Sequence, residues 1–367
     1  ARHRAATSAS CLLWLTLFDM RDRYDQHYLE THYGVPRDEV VILEGEGVVD
    51  TGAPETVGDI YDPFVEFRDR VASGEIADWE ALDEEMALSE YIDYVFIQVY
   101  AGNYDWPQNN VRYWRYTGPN PTAERGPRDG RWRWMLYDVD FAFGHQLSTT
   151  FDMVEWSFGF TEEHPFLEER RREQYQDRFE INQRIADVPE MRQELLQRFA
   201  VHLSTTASER RALEFVDRHA ARIESEMPRQ IERWSYPESM DAWYAVVETM
   251  RDFARRRPQI VRDHLLRFFD DLTGVAELSV AGITDASGLS LHTIRLDDRT
   301  EGVEIDDGRW SGLLFTGIPV TIESRRSDLR DATFEPDGRV QVIERSRRRL
   351  SFSMNGNARI TLPTQPR

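Results

Sequence analysis

The sequence predicts an α+β protein, and three features carry that expectation. Apolar side chains recur at helical spacing through residues 89–102 and again from about 163 to 270. Short aromatic and β-branched runs at 39–45, 111–117 and 131–141 read as strands. After Gly274 brief runs of Val, Ile, Leu and Thr alternate with turns, which places a boundary near residue 272. Residues 1–272 are expected to form one unit and 275–367 a small all-β module.

The elements follow in order. Residues 11–18, "CLLWLTLF", read as a core strand, with a short signal core as the alternative. "DQHYLETHYGV" reads as a helix that Gly34 ends, and "EVVILEG" as a strand. Two helices are expected in "DIYDPFVEFRDRVAS" and "DWEALDEEM". In "SEYIDYVFIQVYAG", Tyr91, Val95 and Val99 share a face, Ser89 is the expected N-cap and Gly102 the stop. A loop, "NYDWPQNN", leads into the strands "VRYWRYT" and "RWRWMLYDVDF". Pro258 is expected to break or kink the last long helix. In the β module, "PDG" at 336–338 and "NG" at 355–356 are hairpin signals. The run "RSRRR" at 345–349 reads as a solvated face near a turn.

Composition excludes several kinds of chemistry. A net charge of −21 argues against a nucleic-acid partner or an anionic membrane. No stretch approaches the roughly 20 apolar residues of a membrane span. The lone Cys11 rules out a disulfide framework within the chain and a paired-cysteine zinc motif. All 45 basic residues are arginine, so no lysine is present as Schiff base, general base or phosphate anchor. "G-x-S-x-G" is absent, and a Walker-type phosphate loop is impossible without lysine.

Asp138 and Asp140 sit in the apolar run "GRWRWMLYDVDFAFG". Burying unpaired carboxylates is costly, so a metal ion, an arginine or helix N-terminal amides should lie near them. On a strand the two would share a face, an arrangement that suits a divalent cation held by oxygen ligands. Pairing with Arg112, Arg115, Arg131 or Arg133 is the structural alternative. Upstream, Asp105 and Asn110 have the spacing of a protein-kinase catalytic loop, where the aspartate receives the substrate hydroxyl's proton and the asparagine binds metal. The alternative is an ordinary turn before Pro107. His145 could approach a metal at this site, or be a loop histidine. Trp106, Trp114, Trp132 and Trp134 read as core packing rather than a ligand platform.

Taken together, "IDYVFIQVYAGNYDWPQNNVRYWRY…GRWRWMLYDVDFAFG" resembles the core of the CotH-kinase family, atypical kinases named for a spore-coat protein. "RDRYDQHYLETHYGV", "HPFLEERRREQYQDRF" and "RPQIVRDHLLRFFDDL" are similar to other segments of that family, and the tail to a β module appended in bacterial members. The resemblance implies an atypical protein-kinase-like core, mostly the helical lobe, with an incomplete N-terminal lobe. It implies ATP with Mg²⁺ or Mn²⁺ as cofactors, and transfer of the γ-phosphate to a protein hydroxyl. Asp105 takes the catalytic role, while Asn110, Asp138 and Asp140 take the metal. Asn103, Asn109 and Arg112 flank the loop as residues that position phosphate or peptide. Arg21, Arg23 or Arg112 would replace the absent lysine. A silent surface or coat protein binding a protein partner is the other reading. Either way an exported, cell-surface or coat-associated location is implied.

Overall fold

The structure, a computed structural model, describes residues 4–5, 19–20, 22–45, 47–51, 58–144, 148–159, 178–284, 287–297, 300 and 302–363. The strand read at 11–18, most of the segment 164–179 and His145 lie outside the described residues.

Two short strands, β1 (Arg4–Ala5) and β2 (Asp19–Met20), pair near the start. Helix α1 (Gln26–Tyr33) begins where the Asp25 carboxylate accepts the N–H groups of His27 and Tyr28, and ends at a left-handed Gly34. Strands β3 (Val40–Glu44) and β4 (Gly47–Thr51) follow, then helices α2 (Gly58–Ala72), α3 (Trp79–Glu85) and α4 (Leu88–Ala101). Helix α4 is buried on most of its faces, which its continuous apolar run requires. It starts one residue before the expected cap: Ser89 lies inside the helix, and Asp83 accepts the Leu88 N–H at 3.3 Å.

Strands β5 (Arg112–Tyr116) and β6 (Arg133–Met135) complete an antiparallel sheet of order β4-β3-β5-β6. Its register aligns Glu44 with Arg112 and Arg112 with Met135. The loop entering β5 and the segment leaving β6 therefore emerge side by side from one end of the sheet. That register brings the two halves of the site together.

The helical part continues with α5 (Glu180–Asp187), α6 (Pro189–Ser204), α7 (Glu209–Ile223), α8 (Met227–Trp234) and α9 (Met240–Phe268). Helix α9 runs through Pro258 without a break. A proline there forfeits one backbone hydrogen bond, but the neighbouring Arg257 is anchored. It donates to the carbonyls of Val99, Tyr100, Thr149 and Phe151 at 2.6–3.2 Å.

The β-rich part contains β7 (Gly274–Ala281), β8 (Leu289–Leu291), β9 (Ile294–Arg295), β10 (Arg309–Thr316), β11 (Val320–Ser324), β12 (Thr333–Glu335), β13 (Val340–Arg345), β14 (Arg349–Met354) and β15 (Ala358–Thr361). They form two sheets, β10-β7-β15-β12 and β13-β14-β11-β8-β9. Both expected hairpin signals are in fact links between sheets. "PDG" joins β12 to β13 and "NG" joins β14 to β15, each pair divided between the two sheets. The arginine run instead spans the tip of the β13–β14 hairpin. One apolar core is continuous from Val41 of the first sheet through α4 and α6 to Leu362. Gln197 of α6 seals the junction by exchanging hydrogen bonds with the backbone of Phe315 at 2.9 and 3.2 Å. Among the described residues, no helix is long and apolar enough to cross a membrane.

Candidate functional site

The loop after α4 starts at Gly102, whose left-handed φ of 69° turns the chain off the helix. Asn103 is fully buried, and its amide donates to Gln98 Oε1 at 2.8 Å. Trp106 is also buried, and its carbonyl accepts the Trp156 indole N–H at 2.9 Å. These contacts fix the loop on both sides of Asp105. One oxygen of Asp105, Oδ2, accepts the Asn110 amide at 2.8 Å and the Asn109 amide at 3.1 Å. Burial pushes its carboxyl above the ordinary range, Asn109 opposes that, and the charge of Asp140 adds to it.

The second half differs from the strand expected for it. Strand β6 stops at Met135, and Asp138 adopts a left-handed φ of 47°. Asp138 and Asp140 therefore do not meet by strand alternation; a turn brings them together. Burial raises Asp138 first, reinforced by a hydrogen bond with Asp140 and by the charges of Asp140 and Asp105. The turn is held to the loop. Phe143 donates its N–H to Ala101 O at 2.8 Å, and the Asn103 and Asn110 amides both lie 3.5 Å from Asp138 O.

The arginine alternative for these aspartates is overturned. Arg131 pairs with Asp83 at 2.7 Å and Asp129 at 2.8 Å, and Arg133 with Asp129 at 2.8 Å and Glu90 at 3.3 Å. Arg115 lies over the Trp132 ring. Arg112 is buried, pairs with Glu44, donates to Tyr24 O at 2.7 Å and stacks 3.9 Å from the Tyr137 ring centre. Arg112 thus buttresses the sheet end beneath the site. Arg23 is exposed, with its nearest carboxylate oxygen on Asp25 at 3.9 Å. Among the described residues no guanidinium pairs with Asp105, Asp138 or Asp140.

The donors offered are carboxylate and amide oxygens, the set that suits a hard divalent cation. Asn110 uses its Nδ2 toward Asp105 and leaves its Oδ1 without a protein partner among the described residues. Also among the described residues, no three Asp, Glu, His or Cys side chains already stand as an ion cage. A cavity of about 50 Å³ behind the loop, lined by Trp106, Pro107 and Val111, is far below nucleotide size. Glu44 and Gln98 were missed from the sequence as supports. Glu44 was legible only as the last residues of an expected strand, and Gln98 only as a polar residue in an apolar helix. The four tryptophans are packing residues as read, with Trp106, Trp114 and Trp132 buried and Trp134 packed against the core.

A family model described as CotH kinase protein matches residues 17–261, about two thirds of the chain. No curated protein matches it.

Proposed function

The chain belongs to the CotH kinase family, and from that premise we propose that it transfers the γ-phosphoryl group of ATP to a protein hydroxyl with Mg²⁺ or Mn²⁺. Asp105 orients the acceptor hydroxyl and receives its proton. A carboxyl raised above its ordinary range is the stronger base for that task. Asn109 and Asn110 hold Asp105 Oδ2, leaving Oδ1 for the acceptor. Asn110, Asp138 and Asp140 hold the cation. A cation bound there would neutralise the negative charge of the nucleotide phosphates during transfer. Asn103 acts indirectly, fixing the loop from its buried position against Gln98. Arg112 does the same from beneath, through Glu44 and Tyr137.

One observation carries the reading: among the described residues three neighbouring carboxylates have no guanidinium, while Arg112, Arg131 and Arg133 are all committed elsewhere. The test is metal-dependent incorporation of labelled γ-phosphate into protein, with Asp105→Ala and Asp138→Ala as controls. The expected result is labelling by the wild type and loss in both variants. Labelling that persists in both would overturn the assignment. The small cavity behind the loop, and the lack of a ready-made ion cage among the described residues, favour a second reading, a silent surface or coat protein that binds a protein partner. Absence of labelling together with no thermal shift in ATP and metal would select it. We propose an exported or coat-associated location under either reading, and fractionation of source cells tests it.

A further inference from the structure

The outer face of the β10-β7-β15-β12 sheet carries an open concavity of about 530 Å³, outside the family match. Its floor is made of small residues. Ser279 of β7 lies level with Ser311 on one neighbouring strand and with Arg359 on the other. The Ser279 hydroxyl is buried and has no hydrogen-bond partner among the described residues. Leaving a buried hydroxyl unpaired is costly, and a bound group could recover that cost.

Two arginines stand on opposite sides of this floor. Arg309 is exposed and its guanidinium has no partner among the described residues. Arg359 reaches a carboxylate only at 4.0 Å, on Glu335. Two strand spacings and a two-residue offset separate their Cα atoms by about 12 Å. That span exceeds a single phosphate and suits acidic groups at the two ends of a short chain. Glu277 and Glu335 also line the concavity. They repel a bare polyanion but accept hydrogen bonds from hydroxyl groups. Acidic groups at both ends and hydroxyls between describe an oligosaccharide of uronic acids.

We propose that this face, centred on Ser279 between Arg309 and Arg359, binds an acidic oligosaccharide through its carboxylates and hydroxyls. The site shares no residue with the phosphoryl-transfer centre, so either assignment can fail alone. The test is calorimetric titration of the full chain with trigalacturonate, maltotriose and inorganic phosphate. Saturable trigalacturonate binding is expected, weakened at least tenfold in Arg309→Gln and in Arg359→Gln, with melting temperatures unchanged because both side chains are exposed. Ser279→Ala should weaken binding without lowering stability, since its hydroxyl has no protein partner to lose. No saturable binding, equal binding of maltotriose, displacement by phosphate, or indifference to both arginine substitutions would overturn the proposal.

Discussion

Asp129 and Asp138 lie nine residues apart on either side of β6, and the protein treats them in opposite ways. The Asp129 side chain is almost fully buried and accepts hydrogen bonds from the Gly126 and Arg131 backbones, from Arg131 Nε and from both terminal nitrogens of Arg133. Burial alone would raise its carboxyl, but these partners hold it well below the usual range. Asp138 is raised instead, by burial and then by Asp140. Asp93 follows the first pattern. Arg198 and His202 bind it at 2.5–2.8 Å and outweigh its burial, holding it at about 2. A chain with 45 arginines does not lack cations. Structural aspartates receive them, whereas Asp105, Asp138 and Asp140 have no guanidinium partner among the described residues.

The contrast can be broken by substitution, and the effects rank in order. Asp105→Ala should lower phosphoryl transfer by roughly 10²–10⁴-fold, the range for loss of a general base, with little change in melting temperature. A kinase assay beside a thermal melt checks both. Asp129→Ala should instead cost about 3–5 kcal/mol of stability, because it leaves two buried guanidiniums without their shared partner. Urea unfolding measures that loss.

Acid should separate the two classes next. The Asp93 carboxyl is depressed from 3.8 to about 2, so its stabilisation is complete above pH 3.8 and disappears as pH falls toward 2. Asp105 and Asp138 are raised, so their sign is reversed: they cost stability once ionised, and protonation relieves that cost. Denaturant midpoints measured across this range should fall less steeply in Asp93→Asn than in the wild type. The smallest effect is a gain. Asp138→Asn should slightly raise the melting temperature of metal-free protein by removing one of two adjacent negative charges, whereas Asp129→Asn should lower it.

How much of this was legible in the sequence follows from which interactions are local. Helix α4, its Gly102 stop and β5 were readable because periodicity and a left-handed glycine are local signals. The reach of α9 past Pro258 was not, since the distant carbonyls bound by Arg257 come from other elements. The run Leu136–Phe141 imitates strand alternation, yet tertiary contacts to Asn103, Asn110 and Ala101 select a turn with Asp138 left-handed. The site residues could be listed from motif spacing, but their meeting depends on the register of Glu44, Arg112 and Met135. No local pattern encodes that register. The destination of each arginine was equally hidden. Arg112, Arg131 and Arg133 were all plausible partners for Asp138, and each is engaged with another carboxylate. The misread "PDG" and "NG" turns have the residues of tight turns, but the flanking strands belong to different sheets.

The most direct test of the central claim is a calorimetric Mn²⁺ titration of the full chain and of Asp138→Asn, Asp140→Asn and the exposed-loop control Asp337→Asn. One saturable site in the wild type and the control, weakened at least tenfold in the first two variants, is the predicted result. No binding, or binding indifferent to Asp138 and Asp140, would contradict it.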